Sequence, residues 1–195
     1  MQVMTVEDAT ALANRSIQES WDIMIELLKE RHLERFAERL QQPPTVVWKP
    51  FRSMNVAAWY RTFDLKHPKK NFSKQWKWDD VIEMNSDYLT SPDAERFVWE
   101  TSKHELGHCI NFRLNNRTGH DKSFKAIVEA IGGNSATCHN YDLTDKQRKK
   151  MHKFTCKCGK SWWVTNYWVK KFKSGNYLCK ECEANLNEGT FTSEE

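Results

Sequence analysis
The run Thr101-Ser102-Lys103-His104-Glu105-Leu106-Gly107-His108 constrains this chain more than any other feature, because its chemistry needs a helix. In an α-helix, residues i and i+4 lie about 40° apart around the axis, so His104 and His108 point the same way. Glu105 falls about 100° round from His104, at the rim of that face. Two imidazoles so placed can hold a zinc ion, and the glutamate can reach a water beside it without ligating it. This is the H-E-x-x-H arrangement of zinc proteases. The alternative is an amphipathic helix that happens to carry two histidines on its polar face. The flanks argue against that: Ser91 reads as an N-cap with Pro92 in the first turn, and Phe97, Val98, Leu106, Cys109, Ile110 and Leu114 recur at helical intervals. The spacing predicts a helix over about 92–114.

A catalytic zinc usually takes three protein ligands and keeps one open position. Two residues beyond His108 can supply the third: His120, in Gly119-His120-Asp121 after a turn-like stretch, and Glu129, in the apolar-periodic run 124–131. The interval to His120 is too long for the metzincin signature. His120 is the preferred ligand; its alternative is a solvated loop histidine.

His104-Glu105-x-x-His108, then Gly119-His120-x-x-x-Phe124, then paired cysteines near the C-terminus is similar to the SprT-like metalloprotease family. Asp80-Val81-Ile82-Glu83-Met84-Asn85 fits the family's strand before the active-site helix, and Trp48 falls where an aromatic strand residue is common. The resemblance covers about 45–186. The interval between His108 and His120 is shorter than in many members, and Cys109 stands where a small alanine is common. The resemblance implies an α+β fold: a zincin-like SprT metalloprotease domain with a small C-terminal zinc ribbon. It also implies a substrate that is a protein bound or crosslinked to DNA.

Cys156-Lys157-Cys158-Gly159 and Cys179-Lys180-Glu181-Cys182 read as a second, structural zinc site. Four thiolates close a tetrahedron, and the ion supplies folding energy that a small module lacks. The first pair has one intervening residue rather than two, but the family's ribbon resembles Phe154-x-Cys156-x-Cys158-Gly159 and Tyr177-x-Cys179-x-x-Cys182. The alternative, two disulfides, is disfavoured because residues 1–8 carry no secretory pattern. Cys109 and Cys138 then read as reduced thiols. The expected cofactors are two Zn2+ ions, one catalytic and one structural.

The formal net charge of +4 conceals an asymmetry: from Lys146 to Lys180 there are eleven Lys and Arg and no Asp or Glu. Aromatic residues are interleaved. Cations attract phosphates and aromatic faces stack unpaired bases, so this stretch reads as a site for single-stranded or partly unwound DNA. Lys160, Trp162, Trp163, Trp168, Lys170, Lys171 and Lys173 are its expected contacts. The alternative is that the tryptophans form the ribbon's small core and the lysines solvate it. A second basic-aromatic run spans 66–78.

The expected organisation is an N-terminal helical segment over 1–44, with a helix over 6–40, packing on a protease core over 45–143. A connector over 144–152, the ribbon over 153–186 and a mobile acidic tail over 187–195 follow. Strands are expected over 45–48, 56–62 and 81–84, and a helix over 122–131 ending at Gly132-Gly133. Glu105 is the expected general base, while Arg113, Arg117, His139 and Tyr141 are alternatives for the oxyanion donor. No apolar run approaches a membrane span. The expectation is a monomeric cytoplasmic zinc endopeptidase (nuclear in a eukaryote). The alternatives are a protease whose substrate is unrelated to DNA and a non-catalytic, zinc-stabilised nucleic-acid-binding protein.

Overall fold
In a computed structural model the described residues are 3–52, 56–62, 80–136, 141, 144, 147, 149–175 and 177–192. They fall into two units, Met1–Asp142 and Leu143–Glu195. The basic-aromatic run 66–78, Cys138 and His139 lie outside the described residues.

The first unit opens with α1, Val6–Glu30. Thr5 caps it, its hydroxyl oxygen accepting from the Asp8 N–H at 3.1 Å, and Glu7 and Asp8 sit at the positive end of the helix dipole. Ala9, Leu12, Ala13, Ile17, Trp21, Met24 and Leu28 form its buried stripe. The helix does not run on to residue 40 as the periodicity suggests. His32 adopts a left-handed conformation with φ 56°, and the Leu33 N–H bonds the Leu28 carbonyl at 2.8 Å. That is a Schellman stop, and the partly buried Leu33 packs against the core that contains Leu28. Only a short helix, α2, Glu34–Ala37, follows.

Three strands come next: β1, Thr45–Lys49; β2, Ala58–Arg61; and β3, Val81–Asn85. Their order is β1-β3-β2, with β1 parallel and β2 antiparallel to β3. Alternation puts Ile82, Met84 and Ala58 into the core and Val47, Glu83 and Trp59 on the other face.

The central element is α3, Ala94–Asn115. It starts two residues later than expected, with Asp93 as N-cap, because Ser91 accepts from the Asp93 N–H at 3.2 Å in a turn before the helix. Buried residues surround it on most sides, so its own pattern is only weakly amphipathic. A turn leads to α4, Lys122–Ala130, which ends at Gly132 with φ 68°.

Beneath α3 lies a buried ion pair. Arg113 Nε and one terminal nitrogen each lie 2.9 Å from Asp80 Oδ2, Nη1 donates to the Gln42 carbonyl at 2.6 Å, and the guanidinium sits 5.1 Å from the Trp21 ring. Both side chains are essentially inaccessible. Removing one partner leaves the other charged in low dielectric. Arg113→Ala should therefore cost about 3–5 kcal/mol in denaturant unfolding. A loss below about 1 kcal/mol would show the pair to be dispensable.

The second unit has β4, Met151–Thr155; β5, Ser161–Thr165; α5, Asn166–Ser174; and β6, Thr190–Thr192. The sheet order is β5-β4-β6, all antiparallel. Phe154, Cys156, Val164, Phe172, Cys179 and Leu186 form its small core. Two boundaries shift from expectation. β4 begins inside the expected connector, and the stretch expected as a mobile tail supplies β6, whose Phe191 packs 4.9 Å from Phe154. No helix of the described residues is long and apolar enough to cross a membrane.

Candidate active site
Helix α3 carries His104 and His108 one turn apart, their ring centroids 5.2 Å from each other. His120 comes from the turn between α3 and α4, its ring 5.1 Å from His104 and 4.7 Å from His108. One nitrogen from each ring lies within 4.8 Å of the others, and the Nε2 atoms of His104 and His120 are 3.0 Å apart. A tetrahedral ion with bonds of about 2.0–2.1 Å needs ligand nitrogens about 3.3 Å apart, so the cluster fits a metal such as zinc with little adjustment.

The three rings share a floor. Phe124 of α4, fully buried, stacks on His108 at 4.3 Å and meets His104 and His120 edge-on at 5.1 and 4.7 Å. Asp121 fixes the turn that holds His120. Its Oδ1 caps α4 by accepting from the Phe124 N–H at 2.9 Å, and it accepts from Ser123 at 2.7 Å. Buried Asn111 of α3 joins the same network, its Oδ1 2.8 Å from the Ser123 hydroxyl and its Nδ2 donating to Asp121 Oδ1 at 3.5 Å. The third histidine is therefore tied to the helix that bears the other two.

His104 Nδ1 lies 3.0 Å from the Asn134 carbonyl, which can only accept. The proton is thereby placed on Nδ1, leaving the Nε2 lone pair facing the cluster. Burial lowers the pKa of all three histidines; for His108, burial and then its two histidine neighbours push it down to about 3. The Thr118 backbone acts on His108 in the opposite sense, although its Nδ1 completes no hydrogen bond of ordinary geometry. At neutral pH the rings are in the unprotonated form that binds metals.

Glu105, the residue after His104 on α3, is buried. Its Oε2 accepts the backbone N–H of Tyr60, on strand β2, at 2.7 Å. Burial raises its pKa to about 7, with the Tyr60 N–H working the other way. An adjacent cation would draw it back down.

Glu129, the alternative third ligand, stays outside the cluster. It is exposed on α4, its carboxylate 3.5 Å from Ser135 Oγ. Two of the oxyanion alternatives are engaged elsewhere: Arg113 with Asp80, and Arg117 with Asp121 at 3.1 Å. The Tyr141 hydroxyl lies 3.2 Å from Thr101 and 3.1 Å from Glu100, one turn before His104.

Gly107 escaped the sequence reading, although it lies inside the motif. A Cβ there would fall 2.2 Å from Val128 Cγ2 and 3.3 Å from the Phe124 ring, so α3 and α4 touch through it. Alanine favours helix over glycine by about 1 kcal/mol, yet Gly107→Ala should destabilise the unit by a net of about 1–3 kcal/mol. Adding Val128→Ala should recover most of that loss in thermal melts. If it does not, the close approach of the helices is not what requires glycine.

The second unit gathers the other cluster. The sulfurs of Cys156, Cys158, Cys179 and Cys182 lie within 4.8 Å of one another, and the Cys156–Cys182 distance of 3.6 Å is far beyond a disulfide bond. All four are free thiols. The backbone N–H groups of Glu181 and Cys182 bring the Cys179 thiol down to about 7. Four thiols, with no fifth donor in the cluster among the described residues, fit a closed tetrahedral metal site.

The expected nucleic-acid contacts divide. Trp162 packs on Phe154 at 5.0 Å and belongs to the core edge; Trp163 is half-buried. Lys160 is exposed but paired with Glu181, and Lys157 pairs with Glu188 at 2.5 Å. Trp168 is 43% exposed, beside Tyr167 at 5.5 Å and Tyr177 at 6.0 Å. Lys170, Lys171 and Lys173 are exposed on α5.

No curated protein and no solved structure matches this chain. The SprT-like family model matches residues 26–152, nearly two thirds of the chain. The matched span holds Glu105 and the three histidines and stops before the four cysteines. On that match, with the site's residues inside it, the chain belongs to the SprT-like family.

Proposed function
We propose that this chain is a zinc-dependent endopeptidase acting on DNA-bound or DNA-crosslinked proteins. The observation that carries the reading is the convergence of His104, His108 and His120, with the buried carboxylate of Glu105, the residue after His104, held by the Tyr60 N–H. His104, His108 and His120 would hold the catalytic zinc, and Cys156, Cys158, Cys179 and Cys182 a structural one. Zinc, when bound, supplies Lewis acidity toward water and the peptide carbonyl.

The chain's own residues do the rest. Asn134 and Phe124 fix the histidine rings, so little reorganisation precedes reaction. Glu105 takes a proton from water as its oxygen bonds to the carbonyl carbon, then returns that proton to the nitrogen as the C–N bond breaks. The Tyr60 N–H fixes the carboxylate's position for both transfers. Its location on β2 sets Glu105 beside a strand with a free edge among the described residues.

The exposed Tyr167, Trp168 and Tyr177, set among the lysines of α5, support nucleic-acid binding by the second unit. The test is cleavage of a histone-like protein with and without single-stranded DNA. DNA should accelerate the wild type, and a combined Trp168→Ala, Lys171→Ala variant should lose most of that acceleration while keeping DNA-independent cleavage. Cleavage indifferent to DNA would instead identify a protease with another substrate. DNA binding with full zinc and no cleavage would identify a non-catalytic binding protein.

A further inference from the structure
The face of the first sheet turned away from the core takes no part in the site described above. In cross-strand register Val47, Glu83 and Trp59 form one row, with Lys49 and Arg61 on the same face. Val47 and Trp59 are each 44% exposed, high for large apolar side chains on a sheet. After β1 the chain turns so that buried Phe51 stacks on Trp59, the rings 4.9 Å apart at 23°. Lys49, Pro50, Phe51, Arg52 and Trp59 line a shallow groove of about 440 Å3. That is within the roughly 300–1,000 Å3 of small-ligand sites.

The charge of this face is one-sided. Lys49 lies 5.8 Å from the Phe51 ring and Arg61 4.8 Å from the Trp59 ring. Arg52 is exposed and has no ion-pair partner among the described residues. Against these three cations the strands set one carboxylate, Glu83, which pairs with Lys49 at 2.6 Å and with Arg61.

We propose that this groove binds an unpaired nucleotide of single-stranded nucleic acid, its base against the exposed Trp59 ring that Phe51 backs and its phosphates on Arg52 and Lys49. An acidic peptide would answer the cations but leave the Trp59 ring open to water. A nucleotide answers both, since every base has a face that stacks and every linkage a negative charge. The surface belongs to the first unit and α5 to the second, and the proposal does not depend on nucleic-acid binding at α5. Trp59 and Tyr60 are consecutive, so a strand held here would lie on the reverse of the segment that holds Glu105.

The test uses the full zinc-bound chain and a short oligothymidylate carrying 5-iodouracil. Photocrosslinks should map to Trp59. In a Trp168→Ala background, adding Trp59→Ala should weaken binding at least about fivefold, as expected for one stacked base. Arg52→Gln, at an exposed position where folding is safe, should reduce the slope of log affinity against log salt by about one. Crosslinks confined to 143–195, with Trp59→Ala and Arg52→Gln binding like their parents, would overturn this proposal and leave binding at α5 standing. Crosslinks at Trp59 with no effect of Trp168→Ala would support it and remove the α5 reading. Equal displacement of the oligonucleotide by polyglutamate of matched charge, with Trp59→Ala neutral, would overturn it in favour of an acidic protein partner.

Discussion

Glu105→Gln should lower kcat/KM for protein cleavage by about 10²–10⁴-fold, the usual weight of a positioned general base, while zinc content stays unchanged. Glutamine is nearly isosteric, and its carbonyl oxygen can still accept the Tyr60 N–H, so position survives and only proton transfer is lost. An equal fall in kcat and kcat/KM is expected, because the lost interaction exists only in the transition state. Undiminished cleavage by a verified glutamine variant would remove Glu105 from the mechanism.

The same substitution has a second readout in the metal-free protein. Burial raises the Glu105 pKa from its ordinary 4.5 to about 7, so the folded state binds a proton that the unfolded state gives up. Stability supplied by that proton is fully present below about pH 4.5 and is lost as pH rises through about 7. The loss is about 3 kcal/mol at most. The glutamine side chain cannot ionise, so the variant should match the wild type near about pH 4 and exceed it increasingly toward about pH 8. Hydrogen exchange at α3 amides in chelated protein would measure the difference. Parallel pH curves would mean that burial does not govern the carboxyl.

Cys158→Ser should unfold the second unit while leaving the first intact. That unit has roughly 50 residues, a size at which a hydrophobic core alone rarely suffices. Among the described residues its buried cluster holds six side chains, and two of them are cysteines of the metal site. Zinc binding to such modules is worth about 10–16 kcal/mol, so losing one thiolate removes more than the unit's net stability. Cys158 is exposed, so serine opens no cavity and the effect isolates ligation. Zinc analysis should fall from two ions to one, with loss of amide dispersion in β4, β5 and β6. Retention of both ions and the native spectrum would show that the thiols do not support the fold.

Local patterns in the chain carried much of this site. His104 and His108 share a face because the helix repeats every 3.6 residues. His120 was preferred to Glu129 in the sequence, and the structure supplies the reason: Asp121 locks the turn that presents it. The cysteine pairs were legible because each forms its own tight turn, with Gly159 at φ 84° in the first and Glu183 at φ 58° in the second. The end of α1 was misread because a histidine, rather than glycine, takes the left-handed stop. The β6 strand was misread because an acidic terminal stretch carries little strand signal of its own, and Phe191 is held by packing on Phe154.

Residue type and short-range spacing define which atoms can ligate and which carboxylate can move a proton. Tertiary structure alone decided what holds them. The Tyr60 N–H reaches Glu105 across 45 positions, the Asn134 carbonyl reaches His104 across 30, and Asp80 meets Arg113 across 33. Two of these three contacts use backbone groups, which every residue carries alike and no composition reveals. The third puts opposite charges together only because the first sheet and α3 bury the same volume.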